Sequence, residues 1–169
     1  MMKLNLGCGE KKRDGYVNVD VCGTPDVVCD LNRFPWDWTD NSIDEVTSSH
    51  WLEHVEDFER TILEIHRILK PNGVLHFHVP HFRTPFAIWH LHKWQFSTCT
   101  CDLLCAKLPY LWGGRQLFVR DKIAVRCLFV RKRFAWPLTK LANYAPCAWD
   151  WLGLPIDEIE FFGRKVADG

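Results

Sequence analysis

Leu4-Asn5-Leu6-Gly7-Cys8-Gly9 is the stretch of sequence that decides the fold of this chain. An apolar run that ends in two closely spaced glycines is typical of a strand entering a tight turn, where glycine permits a positive φ and a close ligand approach. Asp20 ends a second predicted strand, over residues 16–21. Ligands of open α/β sheets bind beyond the carboxyl ends of the strands. An acidic residue there can accept hydrogen bonds from both ribose hydroxyls, so the pattern predicts a bound nucleoside.

The residues after Asp20 continue the pattern of an α/β protein. A helix is predicted over residues 56–70, because Phe58, Ile62, Ile65 and Leu69 share one helical face, and Pro71-Asn72-Gly73 ends it. Strands that alternate with crossovers predict a doubly wound, mostly parallel sheet. The further strands are predicted over residues 26–30, 43–48 and 74–79.

The first crossover is unusually short. Only residues 10–15 separate Gly9 from the second predicted strand, whereas a helical crossover needs about a dozen residues. We therefore expect a loop or a single helical turn there.

The second half of the chain has a weaker pattern. Residues 118–130 and 156–166 are strand-like, residues 134–155 predict at most short helices, and residues 82–115 carry aromatic and cysteine residues without a clear period. We expect one domain over residues 1–169, in which residues 82–115 form an acceptor-site or lid insertion.

Composition and charge exclude several classes of protein. The chain has 169 residues, 47% hydrophobic and 25% charged, which excludes a disordered or collagen-like chain. The 21 basic and 21 acidic residues cancel overall, with five excess negative charges in residues 1–85 and five excess positive charges in residues 86–169. This imbalance is modest, and we expect no nucleic-acid partner.

The eight cysteines do not indicate a disulfide framework. No secretory signal precedes the first predicted strand, and no apolar run is long enough for a membrane span. We therefore expect a cytoplasmic protein with free thiols and no membrane span.

The glycine turn lacks the features that hold phosphate groups. Lys12 takes the third glycine position of G-x-G-x-x-G, and the sequence contains no G-K-[ST]. A nucleoside without phosphates fits better, and S-adenosylmethionine is the common one.

At this point the chain resembles the class I S-adenosylmethionine-dependent methyltransferases, of the small type 11-like group. This family implies a seven-stranded sheet that ends in an antiparallel hairpin, which the two strand-like segments near the end would supply. The stretches that carry the resemblance are Leu4–Gly9, Gly15–Asp20, Asp30–Leu31, Asp40–Asp44, His50–Val55 and Leu69–Gly73.

The resemblance also implies roles for individual residues. Gly7 and Gly9 would pass under the methionine part of S-adenosylmethionine, and Asp20 would hold the ribose. The remaining implied contacts are Asp30 and Leu31 near the adenine, and Ser48 and His50 beside the sulfonium. The shortened crossover leaves the partners of the cofactor's carboxylate open.

Three histidines are the candidate catalytic residues. Methyl transfer mainly requires alignment, and a general base is needed only for an acceptor such as a hydroxyl group. His81 follows the fifth predicted strand, His50 follows the fourth, and His92 belongs to a His-Lys pair of the kind that the family carries in this region. The [DN]-P-P-[YF] element of adenine and glutamine-amide methyltransferases is replaced by Ser48-Ser49-His50-Trp51. We expect a small-molecule acceptor.

Two other functions stay open. The chain could bind S-adenosylmethionine without catalysis, as a regulatory or partner protein, and a homodimer is one option for its oligomeric state. It could also be a metal protein, through His76, His78 and His81 or through Cys99, Cys101 and Cys105. Neither spacing is a strong metal signature, so we expect no metal. His54 and His66 are expected to be solvated.

Overall fold

One sheet organises the structure, a computed structural model that describes residues 1–127, 132–152 and 156–167. The strands are β1 (Lys3–Leu6), β2 (Val17–Asp20), β3 (Val27–Val28), β4 (Ile43–Ser49), β5 (Leu69–Pro80), β6 (Phe118–Arg126) and β7 (Glu158–Lys165). They form a seven-stranded sheet in the order β3-β2-β1-β4-β5-β7-β6. The first five strands are parallel, and β7 runs antiparallel to both of its neighbours. The predicted α/β class, the mostly parallel seven-stranded sheet and the antiparallel end are confirmed.

The helices of the described residues are α1 (Phe58–Ile68), α2 (Thr98–Leu103), α3 (Lys132–Ala142) and α4 (Pro146–Leu152). Asp57 caps α1, where its side chain accepts a 2.9 Å hydrogen bond from the Arg60 amide. Ile62, Ile65 and Ile68 of α1 are fully buried in the main core, which includes the inward residues of β1, β4 and β5. Burial of each such side chain contributes about 1.5–3 kcal/mol. The apolar period that predicts this helix is thus the period of its buried face.

The opposite face of the sheet is polar. Residues 7–16 and 21–26, all of which the structure describes, contain no helix. A parallel sheet with both faces under helices would be apolar on both. Here Asn18, Asn5, Thr47, His76 and Phe162 lie side by side across five strands on that face. As the short first crossover predicts, no helix joins β1 to β2, and polar residues line this face where apolar residues would otherwise lie.

The loop that replaces the first helix lies over this polar face. Its Arg13 side chain donates a 3.0 Å hydrogen bond to Thr47, and its backbone amide donates a 2.7 Å bond to Asn18. Asn18 also accepts a 2.9 Å bond from Asn5. The loop therefore satisfies polar groups that a helix would leave buried.

Some boundaries differ from the sequence prediction. Helix α1 ends two residues early, because β5 already begins at Leu69 beside Ile43. Helix α3 has 11 residues and contains Pro137, although only short helices were expected there. Three predictions include residues outside the described ranges. They are the strand-like segment over residues 118–130, the short helices over residues 134–155 and the single domain over residues 1–169.

The described helices are short, and the longest of them have 11 residues. None of those in residues 1–127, 132–152 and 156–167 is both long and apolar enough to cross a membrane.

An ion pair on α1, between Glu64 and Arg67, holds the segment that joins β3 to β4 against this helix. Glu64 accepts a 2.6 Å hydrogen bond from the Trp36 amide and a 2.6 Å bond from Arg67. Arg67 in turn donates to the carbonyls of Trp36 and Trp38 at 3.0 and 2.8 Å. Burial raises the pKa of Glu64, but these hydrogen bonds outweigh it and hold the pKa below its ordinary value.

We predict that Glu64→Gln lowers the free energy of unfolding by about 1–2 kcal/mol, because Arg67 loses its buried carboxylate partner and keeps only the exposed Asp40. The lowered pKa places this stabilisation above about pH 4.3, and it is lost as the pH falls through the folded-state pKa. Urea unfolding at neutral and acidic pH measures both effects. Glu59→Gln, on the exposed side of the same helix, should change neither. Equal stabilities of the two variants would contradict the assignment.

Candidate active site

The glycine turn after β1 is held against β2. The amides of Gly7 and Cys8 donate to the Val19 carbonyl at 2.9 and 3.2 Å. Gly7 and Gly9 have φ values of 66° and 50°, which favour glycine. The Trp51 ring fills the space where a Gly7 side chain would stand, since a Cβ built there lies 2.1 Å from Trp51 Cγ. Sequence reasoning missed this contact, and no local pattern predicts it.

Asp20 joins the turn to the end of β2. Its Oδ2 accepts a 2.7 Å hydrogen bond from the Gly9 amide, and its Oδ1 accepts from the amides of Val21 and Cys22 at 2.7 and 3.1 Å. Burial raises the pKa of Asp20, but these backbone hydrogen bonds outweigh it and leave the pKa below its ordinary value. The carboxylate is therefore ionised at neutral pH, as a ribose-binding acid must be.

The predicted adenine residues lie next to Asp20. The Cys29 amide donates to the Asp20 carbonyl at 3.0 Å, which brings Asp30 and Leu31 to the end of β2. The Leu31 side chain is buried in the main core, and its carbonyl accepts a 3.1 Å bond from the Trp36 indole. Asp30 is half-exposed. Their contact with adenine stays a prediction.

Ser48 lies in register with Leu6 near the carboxyl end of β4. Its hydroxyl is buried and has no hydrogen-bond partner among the residues that the structure describes. The structure therefore brings the ends of β1, β2 and β4 together, and with them Gly7, Asp20 and Ser48.

His50 follows β4 as a charged residue. Its Nε2 lies 2.9 Å from Glu158 Oε1, and its Nδ1 lies 3.4 Å from Glu53 Oε1. The hydrogen bond with Glu158, and then Glu53, raise the pKa of His50 to about 9 against the effect of burial. A histidine with that pKa is protonated at neutral pH. The predicted role of His50 as a proton acceptor stays a prediction that this raised pKa does not favour.

His81 is sealed inside the structure. Its ring is fully buried, its Nε2 lies 2.8 Å from Asp150 Oδ1, and its Nδ1 accepts the Arg83 amide at 3.3 Å. Asp150 also accepts both the amide and the hydroxyl of Thr98. The sequence places His81 at the carboxyl edge, but the structure turns its ring inward, where it ties the end of β5 to α2 and α4. Its catalytic role stays a prediction that this position does not favour.

His92 reaches the site through a backbone connection. The amides of Lys93 and Trp94 donate to the Glu53 carbonyl at 2.7 and 3.2 Å. This brings the half-buried His92 ring to within 4.7 Å of the His54 ring, centre to centre. Burial lowers the pKa of His92, so its ring is neutral at neutral pH. His92 is thus the predicted catalytic histidine that keeps an available lone pair.

The other histidines and the cysteines fall elsewhere. His76 and His78 share Glu160 at 3.1 and 3.3 Å on the polar face, so they do not form one group with the inward-turned His81. His66 is buried and His54 half-buried, so the expectation that both are solvated is wrong. Each of the eight cysteines is a free thiol.

Comparisons with known proteins agree with this geometry. Residues 10–77 match the protein family described as "Methyltransferase domain". A 2-phytyl-1,4-naphtoquinone methyltransferase from Nostoc punctiforme is 39% identical over 94 residues, which cover 54% of this chain and 40% of that protein. The same enzyme from a Nostoc species is 43% identical over 58 residues, 31% of this chain and 25% of that protein. The chain thus spans well under half the length of these relatives.

Solved structures share the fold at low identity. An S-adenosylmethionine-dependent methyltransferase from Archaeoglobus fulgidus has a TM-score of 0.62 and 19% identity, over 97% of this chain and 86% of that one. A Burkholderia thailandensis 1,6-didemethyltoxoflavin-N1-methyltransferase, solved with S-adenosylhomocysteine, has a TM-score of 0.60 and 14% identity, over 98% and 71%. The chain therefore has the methyltransferase fold over nearly its whole length.

We predict that Gly7→Ala lowers the free energy of unfolding by about 3 kcal/mol or more, because the added methyl group overlaps the Trp51 ring. Gly9→Ala is the matched control: it carries a similar φ, but no atom lies within 4 Å of its Cβ position. It should cost only about 1–2 kcal/mol. Urea unfolding compares the two, and Trp51→Ala should restore part of the Gly7→Ala loss. Equal losses from the two glycine variants would contradict the packing.

Proposed function

We propose that this chain, a class I S-adenosylmethionine-dependent methyltransferase by its fold and by the match over residues 10–77, transfers a methyl group from S-adenosylmethionine to a small or medium-sized acceptor. The observation that carries the proposal is the glycine turn fixed to the ionised Asp20 at the ends of β1 and β2. A turn of this kind binds a nucleoside, and no phosphate-binding motif accompanies it.

The residues present fit the cofactor. The space beside Gly9 is open, since no atom lies within 4 Å of its Cβ position. The buried Ser48 hydroxyl has no protein partner in the described part of the chain, and it would lie beside the sulfonium. Asp20 would hold the ribose, Asp30 and Leu31 the adenine, and Gly7 and Gly9 the methionine part. When bound, the cofactor supplies a methyl group already activated by its sulfonium charge.

The acceptor would enter between His50 and the segment after β5. Next to this segment an apolar cavity of about 280 Å³ is lined by Phe58, Trp94, Phe96, Leu103, Leu111 and Trp112, among others. An acceptor with an apolar part fits such a cavity. The named relatives act on quinones. We therefore favour a quinone-related aromatic acceptor with an apolar substituent. In its reduced, hydroquinone form such a ring carries a hydroxyl group on which the histidines could act.

The histidines would act on the reacting end of that acceptor. His50 is partly exposed at the end of β4, held in place by Glu158, and would position the acceptor. His92 would act on the hydroxyl group, either by accepting its proton or by holding an ion that binds its oxygen. His81 would support the loop from inside.

We predict that S-adenosylhomocysteine binds with far higher affinity than ATP or NAD, and that Asp20→Asn weakens it at least about tenfold. The loss reflects charge-assisted hydrogen bonds to the ribose, each worth about 1.5–3 kcal/mol. Calorimetry measures both. Asp121→Asn, which removes an exposed carboxylate paired with Arg164, should leave the affinity unchanged. Absence of any heat with the sulfur nucleoside on folded protein would refute the proposal.

We predict methyl transfer from labelled S-adenosylmethionine to naphthohydroquinones, and none to phosphoethanolamine or sarcosine. His50→Gln should lower turnover about 100-fold by misplacing the acceptor, with cofactor affinity unchanged. His90→Gln, an exposed histidine of the neighbouring segment, is the control and should keep full turnover. Cofactor binding without turnover on any acceptor would instead identify a non-catalytic binding protein.

A further inference from the structure

A buried carboxylate next to the proposed acceptor site makes no hydrogen bond with the described residues. Glu53 is fully buried, and neither of its oxygens has a hydrogen-bond partner among the residues that the structure describes. The same holds for the buried Nδ1 atom of His92. Polar groups that are buried without hydrogen bonds are costly, and native structures satisfy them with a partner or a bound ion. The protonated His50 supplies a counter-charge, with its Nδ1 3.4 Å from Glu53 Oε1, but it is shared with Glu158 and leaves both Glu53 oxygens without a hydrogen bond.

The fold brings two histidines to this carboxylate. His54 follows Glu53 in the turn after β4, and the turn is fastened to residues 91–94 through the Glu53 carbonyl. His92 thereby comes to lie beside both. One ligand atom each from Glu53, His54 and His92 lie within 4.8 Å of one another.

Both imidazoles are oriented as metal ligands are. His54 Nδ1 lies 3.0 Å from the Leu91 carbonyl, so this nitrogen carries the proton and Nε2 keeps its lone pair. The buried Nδ1 atom of His92 has no partner among the described residues and is the ring nitrogen available to an ion. Metal-binding histidines almost always donate the second ring nitrogen to a carbonyl or carboxylate, which fixes the tautomer.

We propose that Glu53, His54 and His92 bind one divalent first-row transition-metal ion, of the kind that two imidazoles and a carboxylate prefer. Three protein ligands leave coordination positions open, as catalytic metal sites do. This is a different set from the His76, His78 and His81 or cysteine sets that the sequence offers.

The second group of possible ligands in the described residues, His76, His78 and Glu160, is a weaker candidate for an ion site. His76 and His78 already share Glu160, whose other oxygen lies 3.6 Å from Arg126. Glu160 is thus hydrogen-bonded within its group, whereas Glu53 makes no hydrogen bond; each carboxylate has one cation near it, Arg126 or His50. The second group therefore serves as an internal control.

The role of the ion in catalysis rests on the proposed function, whereas its binding does not. A bound acceptor hydroxyl would lose its proton to solvent, because a divalent cation lowers its pKa. The oxygen would then displace the methyl group: an O–C bond forms, the C–S bond breaks, and its electron pair returns to sulfur, which leaves S-adenosylhomocysteine.

Metal binding is tested on chelator-treated protein without cofactor or acceptor. Calorimetry with Zn²⁺ and absorption spectroscopy with Co²⁺ should show one site, with the visible bands of a low-coordinate Co²⁺ ion. Glu53→Gln and His92→Gln should each weaken binding at least 100-fold, and His76→Gln should not. The His92 variant covers the case in which Glu53→Gln fails to fold.

The outcomes separate the two proposals. No site in the wild-type protein, unchanged affinity in the folded variants, or loss of binding in His76→Gln would overturn the metal site. Co²⁺ binding that follows Glu53 and His92 supports it, even if no acceptor is ever methylated. Separately measured S-adenosylhomocysteine binding, unchanged in His92→Gln, would show that the proposed cofactor site is intact.

Discussion

The hydrogen bond between the Asp20 carboxylate and the Gly9 amide, at 2.7 Å, is the contact on which the candidate site depends. In a helical crossover, the first turn of the helix would order the backbone after the glycine turn. The six residues that follow Gly9 here are too few for that helix. The carboxylate at the end of β2 therefore fixes the turn directly, and Trp51 packs on its other side. One acidic residue thus has a structural role and a proposed binding role at the same atoms.

The same short crossover explains the polar face of the sheet. Without a helix to pack against, apolar side chains on that face would meet water, and the strands carry asparagine, threonine and histidine there instead. Arg13 from the loop bonds to Thr47, and Phe162 stacks on the His76 ring at 4.0 Å. The apolar side chains of the parallel strands are concentrated on the face that packs against α1. The order of the strands is unchanged, although a loop covers one face of the sheet where a helix would otherwise lie.

Local patterns predicted the elements, while contacts distant in sequence decided the site. Period and turn residues were enough for the strands, for α1 and for the short crossover, because these features depend on neighbouring residues. They could not show that His81 bonds to Asp150, 69 residues away, or that His66 is buried. They also could not show that the Glu53 carbonyl binds the segment carrying His92. The sequence presents His50, His81 and His92 as equivalent, and only their partners distinguish them.

These hydrogen-bond partners indicate a different role for each of the three histidines. His81 is paired on both nitrogens and buried, so it can hold structure but cannot meet a substrate. His50 is paired with Glu158 at the rim, so it can contact an acceptor. His92 Nδ1 has no hydrogen-bond partner among the described residues, and neither has the buried Glu53 carboxylate near it, although the His50 ring lies 3.4 Å from that carboxylate. A carboxylate and an imidazole nitrogen without hydrogen bonds, with the His54 ring beside them, are the groups on which the proposed cation site rests. The proposed ion site therefore depends on Glu53, a residue that neither composition nor spacing distinguishes from the other acidic residues of the chain.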